Sequence, residues 1–173
     1  MHFLESRLVK KSTLVQTLPK YYGNYDVSFD VIPRGGKSNH YASIIHLTIG
    51  GNHRRLGDRI PAIWFRPGTL TLSICTSINK HSSHCINGKG NLPIGISTNI
   101  RVVQKCDEST RCVYQVFIHG ARIYENVNTN PLSLENVRVY LSDPWHPAAD
   151  VFVKNLKVVT TPMPGKILLY FVL

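Results

Sequence analysis

The segment Tyr25-Asp26-Val27-Ser28-Phe29-Asp30-Val31 alternates without a fault, apolar at odd positions and polar at even ones. A strand places successive side chains on opposite faces, so Tyr25, Val27, Phe29 and Val31 face a dry interior and Asp26, Ser28 and Asp30 face out. Pro33-Arg34-Gly35-Gly36 ends the strand. Working outward, Ile45, Leu47 and Ile49 share an inner face, with His46 and Thr48 turned the other way. Leu70, Leu72 and Ile74 point in, while Thr71, Ser73 and Cys75 point out. Val137, Val139 and Leu141 form a further inner row, and Val151 to Thr160 is the last clear strand. Leu8 to Leu18 is predicted to pair with it, as first and last strands often do in sandwiches. Ile60 to Arg66 forms a short strand around Trp64, which reads as core. The chain reads as about ten strands with no amphipathic helix, the pattern of an all-β sandwich or jelly roll.

The four cysteines, Cys75, Cys85, Cys106 and Cys112, allow three pairings. Folding Ile100–Cys106 against Cys112–Ile118 as a hairpin sets Cys106 opposite Cys112, Gln104 opposite Tyr114, Val102 opposite Val116 and Ile100 opposite Ile118. Opposed residues sit at a separation that suits a disulfide. Cys75–Cys85 then brackets a loop from Thr76 to His84. Two bridges imply an oxidising compartment. Further along, Gly120 is expected to take φ > 0 in a tight turn.

A chain of 173 residues that is 43% hydrophobic supports one domain, here residues 8–160, with 1–7 and 161–173 as terminal extensions. Pro162-Met163-Pro164-Gly165 interrupts the pattern, and the apolar run Ile167–Leu173 is a last strand or lies outside the fold. No stretch reaches the length of a membrane span. Met1 to Arg7 lacks the layout of a signal peptide, which suggests a mature or partial chain. No Asn-x-Ser/Thr sequon occurs.

Twenty Lys and Arg against ten Asp and Glu give a net charge of +10. This excess favours an anionic partner or simply keeps the surface soluble. Nucleic acid is not expected, because aromatics are not interleaved with the basic residues.

Four stretches carry a resemblance: Tyr25 to Asp30, Ile44 to Gly51, Gly57-Asp58-Arg59-Ile60-Pro61-Ala62-Ile63-Trp64-Phe65-Arg66-Pro67-Gly68, and Val137 to Ala149 with its Ser142-Asp143-Pro144-Trp145 corner. Over residues 8–160 the chain resembles concanavalin A-like, laminin-G-like jelly-roll modules of invertebrate, especially cnidarian, extracellular proteins. The resemblance implies a two-sheet antiparallel sandwich, secretion, and adhesion or glycan recognition. It implies no fixed activity, because this fold hosts lectins, adhesion modules and glycanases alike. Such modules often carry a Trp strand after the Leu-Pro turn, and Asn91 to Thr98 has none.

Hydrolysis of a glycan needs paired carboxylates at a set spacing. Glu5, Glu108, Glu125 and Glu135 have no strand partner at that spacing, so no catalytic residue is assigned and no enzyme is expected. His81-Ser82-Ser83-His84-Cys85 lacks the paired ligands of structural zinc and reads as a polar loop tip. Calcium is the one metal the loops could hold, through Asp58 and Asp143; the alternative is that each caps its own turn and pairs with an arginine. Arg54, Arg55 and Arg59 form a candidate edge for sulfate or carboxylate. Trp145 and His146 form a second rim, Trp145 either closing the core edge or offering a stacking platform.

The expected function is therefore a secreted, non-enzymatic recognition module that binds glycans, preferably anionic or sulfated, or a matrix protein. A structural or adhesion domain without its own glycan site is the alternative, and a glycanase-type enzyme stands third.

Overall fold

Alternation of this kind yields strands, and the computed structural model, which describes residues 2–3, 5–109 and 111–163, consists of strands and connecting turns with no helix. In chain order they are β1 (His2–Phe3), β2 (Arg7–Leu8), β3 (Thr13–Tyr21), β4 (Asn24–Pro33), β5 (Ala42–Thr48), β6 (Ala62–Phe65), β7 (Leu72–Ile78), β8 (His81–Asn87), β9 (Thr98–Cys106), β10 (Cys112–Ile118), β11 (Ala121–Asn128), β12 (Leu134–Leu141) and β13 (Val151–Thr161). One sheet runs β1-β13-β4-β9-β10-β11, with β2 also on β13. The other runs β3-β12-β5-β6-β7-β8. All ladders are antiparallel. The protein is an all-β, two-sheet jelly-roll sandwich.

The dry layer is the one the alternation marks. Val27, Phe29, Val31, Ile100, Val102 and Val116 of the first sheet meet Ile45, Leu47, Ile63, Ile74, Val137 and Val139 of the second, all fully buried. Removing a ring such as that of Phe29 would cost about 3–5 kcal/mol in lost transfer energy and cavity.

The hairpin register has Cys106 opposite Cys112, Gln104 opposite Tyr114, Val102 opposite Val116 and Ile100 opposite Ile118. Both disulfides form, Cys75–Cys85 and Cys106–Cys112. Gly120, with φ 80°, and His119, with φ 52°, make the two-residue turn into β11.

Two expectations need correction. The N-terminal segment does not run along the last strand as one piece. Arg7 and Leu8 pair with β13, as β1 does before them; Ser12, with φ 61°, then turns the chain across the end of the sandwich, and β3 pairs with β12 in the other sheet. The sequence marked a strand here but could not say which sheet it joins. Residues 76–84 are likewise no open loop. Asn79 and Lys80, with φ 50° and 65°, form a two-residue hairpin turn, and Cys85 lies directly opposite Cys75 on the edge strand β8. His84 Nε2 on that edge meets the Tyr124 hydroxyl of β11 at 2.7 Å and ties the two sheets together. The run Ile167–Leu173 lies outside the described residues.

Antiparallel connectivity sorts the connections to two ends. Residues 34–41, 66–71, 88–97 and 142–150 gather at one end, and 22–23, 49–61, 79–80 and 129–133 at the other.

Candidate functional site

On the six-stranded sheet, the face turned away from the core should be wet. It is not. His46 of β5 is fully buried there, and Ala62 and Trp64 of β6 with Cys75 of β7 form a small apolar cluster separate from the main core. Trp64, expected in the core, is thus buried on the opposite side of its strand. His46 does point outward as its alternation requires.

Two loops from opposite ends cover this face. Residues 49–61 fold back from one end and 142–150 from the other, and they meet over His46. Its Nδ1 lies 2.9 Å from the Asp143 carboxylate, and its Nε2 lies 2.6 Å from the Asp58 carbonyl oxygen.

Asp143 organises the second loop. Ser142, with φ 64°, swings the chain over the sheet, and the Asp143 N–H donates to the Ser43 hydroxyl at 3.0 Å. The carboxylate accepts from the backbone N–H groups of Trp145 and His146 at 2.9 and 2.8 Å, from Trp64 Nε1 at 3.1 Å, and from the rings of His46 and His146. Burial pushes this carboxyl up, but hydrogen bonds from His146 and His46 and the charge of both rings prevail and hold it well below the usual carboxylate range. It caps its own turn, as one sequence reading had it, but its partners are histidines rather than an arginine.

Asp58 organises the first loop in the same way. Its Oδ2 accepts from the N–H groups of Arg54 and Arg55, both at 2.9 Å, while Oδ1 is buried without a partner. The approach is so close that a Cβ at Gly51 would overlap this carboxylate, which is why glycine stands there.

N–H donors converge on both oxygens of Asp143, so hydrogens already occupy the lone pairs that a cation would need. The calcium expectation then rests on Asp58 alone. Among the described residues no group of three or more His, Cys, Asp or Glu is placed to hold a metal ion.

Arg59 lies across the cluster. Its guanidinium sits 4.7 Å from the Trp64 ring centroid, Nε donates to the Asn52 carbonyl at 2.8 Å, Nη2 donates to the Asn52 side chain at 3.3 Å, and Nη1 donates to Ser83. Burial draws its pKa down from the ordinary value, opposed by the charges of Asp143 and Asp58. Trp145, 39% exposed, lies with its ring 5.3 Å from His46, and Tyr41, 42% exposed, stands edge-on to Trp64 at 6.5 Å. The His146 ring is 5.3 Å from Trp64.

Of the sequence-predicted residues, the structure brings Arg59, Trp145 and His146 together around Trp64 and His46. Arg54 and Arg55 are exposed on the turn above Asp58, joined to the cluster through that residue's backbone and carboxylate. Sequence reasoning missed His46 as the meeting point, Tyr41 as a second exposed ring and Ser43 as an anchor. The available signal was an outward row carrying a tryptophan, a histidine and a disulfide.

No protein-family model matches the chain, and no curated protein matches it in sequence. Solved structures do resemble it. A native heptameric SAP-like pentraxin from Limulus polyphemus is 13% identical, covers 89% of this chain and 75% of its own, and superposes with a TM-score of 0.58. A mutant of alginate lyase Aly36B in complex with an alginate tetrasaccharide is 12% identical over 91% of this chain and 81% of its own, with a TM-score of 0.52. The receptor-binding domain of botulinum neurotoxin type G is 11% identical over 90% of this chain and 42% of its own, at 0.50. At these identities the likeness shows a shared sandwich fold and nothing finer.

Proposed function

We propose that this protein is an extracellular, non-enzymatic recognition module that binds anionic glycans on the covered outer face of its six-stranded sheet. One observation carries the reading: two half-exposed aromatic rings, Trp145 and Tyr41, stand around a rigid base of Trp64, His46 and His146, with the Arg59 guanidinium held beside them. Flat rings offer apolar faces to a sugar, and an arginine fork matches sulfate or carboxylate. Arg54 and Arg55 extend the positive charge along the same loop. The two disulfides support an oxidising, extracellular setting.

A binding role is favoured over glycan cleavage because the carboxylates nearest the cluster, Asp58 and Asp143, are buried and committed to their own loops. The alginate lyase likeness keeps a polysaccharide lyase as the second reading, and incubation with alginate that released unsaturated products absorbing in the ultraviolet would establish it.

The test is retention on immobilised heparin at graded salt. The protein should be retained and elute earlier from Arg54→Ala/Arg55→Ala and from Trp145→Ala. Unchanged elution in both variants would remove this face as the site.

A further inference from the structure

The opposite feature of the molecule is an end, not a face. Ile94 and Ile96 are the two most exposed large apolar side chains among the described residues, at 59% and 58%. They flank Gly95 on the 88–97 connection. That connection is fixed: Gly95 N–H donates to the Pro33 carbonyl at 2.8 Å, and the Asn91 side chain accepts from Leu70 N–H at 2.8 Å. Gly68 N–H in turn donates to Ser38 O at 2.7 Å. Three connections, 34–41, 66–71 and 88–97, are thereby knitted into one rim with the isoleucines projecting from it.

The charge of this rim has a single sign. The three connections contain Arg34, Lys37, Arg66 and Lys89, all exposed, and no aspartate or glutamate. The one carboxylate reaching in is Asp150, which pairs with Arg34 at 3.4 Å and accepts from Gly36 N–H at 3.0 Å. Lys37, Arg66 and Lys89 have no carboxylate partner among the described residues.

Exposed isoleucines cost solubility and contribute nothing to this core. Cations alone would suit a sulfated glycan. Apolar side chains at the tip of a cationic rim suit a surface that is charged at its boundary and apolar just beneath. That is an anionic lipid membrane: headgroup phosphates and carboxylates meet the lysines and arginines, and the isoleucines enter the acyl boundary. We infer that this end of the sandwich docks the protein peripherally on anionic lipid bilayers, with Ile94 and Ile96 inserted and Lys37, Arg66 and Lys89 against the headgroups. Tyr41 and the 142–150 loop lie toward this same end, but none of these five residues belongs to the aromatic cluster, so the docking does not depend on the glycan reading.

The experiment is co-sedimentation of the full chain with phosphatidylcholine vesicles, with and without phosphatidylserine. Binding should require phosphatidylserine and weaken with salt. Removing the three cations by Lys37→Ala/Arg66→Ala/Lys89→Ala should weaken it roughly a hundredfold, about fivefold per charge. The exposed double substitution Ile94→Asp/Ile96→Asp should lower it at least about tenfold by removing the inserted area. Circular dichroism and an unchanged melting temperature confirm that both variants are folded. Phosphatidylserine-independent sedimentation, or full binding by the isoleucine variant, overturns the proposal. Heparin retention lost in the cation variant but kept in the isoleucine variant, with no vesicle binding by the parent chain, would instead make the rim a glycan site and equally overturn it.

Discussion

Replacing Asp143 by alanine should be among the most damaging single changes outside the main core. The carboxylate is fully buried and accepts from five N–H groups: those of Trp64 Nε1, His46 Nδ1, His146 Nδ1 and the backbones of Trp145 and His146. The last loop is partly open, so water can replace the carboxylate for Trp145 and His146. Trp64 and His46 are buried, and their donors would be orphaned. Two orphaned buried donors cost about 2 kcal/mol each, or about 4 kcal/mol together. Breaking a buried pair by removing one partner is independently worth about 3–5 kcal/mol. The two routes agree, and against a total of about 5–15 kcal/mol the loss is large. For a chain of this size about 4 kcal/mol lowers the melting temperature by roughly 8–16 °C and the urea midpoint by about 2 M. Equilibrium urea unfolding with the disulfides intact, followed by tryptophan fluorescence, measures it. Glu125→Ala is the control: its ion pair with Arg122 is exposed on both sides and should cost under about 1 kcal/mol. A cycle with His46→Ala should give a coupling of about 1–3 kcal/mol. A midpoint for Asp143→Ala no lower than that of the Glu125 control, or strict additivity with His46→Ala, would refute the account of a loop clasp.

The same carboxylate sets an acid limit. Its folded pKa is depressed, so its contribution is complete above the unfolded value of about 4 and is lost as pH falls below it. Thermal melts below about pH 4 should therefore fall more steeply for the parent chain than for Asp143→Asn, and equal slopes would sink that attribution. The disulfides should differ in consequence. Cys75–Cys85 and Cys106–Cys112 span separations of 10 and 6 residues, worth about 2.7 and 2.2 kcal/mol by loop closure. Only the first packs beneath Trp64 and approaches Arg59, 3.9 Å from Cys85 Sγ. Cys75→Ala/Cys85→Ala should thus weaken heparin retention where Cys106→Ala/Cys112→Ala does not; equal effects on elution would detach the bridge from the site.

How far the sequence spoke depended on how local the question was. The β9–β10 hairpin was legible pair by pair, because two alternating strands joined by a short turn leave one register that keeps Ile100, Val102, Val116 and Ile118 on the core side. The placement of β3 was not legible. Its partner β12 lies far along the chain, and alternation assigns a face without assigning a sheet. The strand β8 was hidden for another reason: as an edge strand it is half wet, so His81-Ser82-Ser83-His84 shows no apolar rhythm. At the candidate site the two distinctive loops were visible from Asp58 and Asp143, and their capping roles followed from turn chemistry. Their convergence on His46 was not visible, since each loop arrives from a different end of the sandwich.

That convergence is what fits an outer face to the proposed recognition. A bare sheet offers a partner only short side chains on a flat, wet surface, and free loops charge an ordering cost on binding. Here the loops are already ordered by buried acceptors: Asp143 fixes the turn that carries Trp145 and His146, and Asp58 fixes the turn that carries Arg54, Arg55 and Arg59. His46 bridges the two, so the rings and the guanidinium are held in one arrangement before any ligand arrives. The polar atoms that make this sheet face unusual are the ones that stabilise it, so the proposed recognition on this face and its stability rest on the same histidine and aspartate.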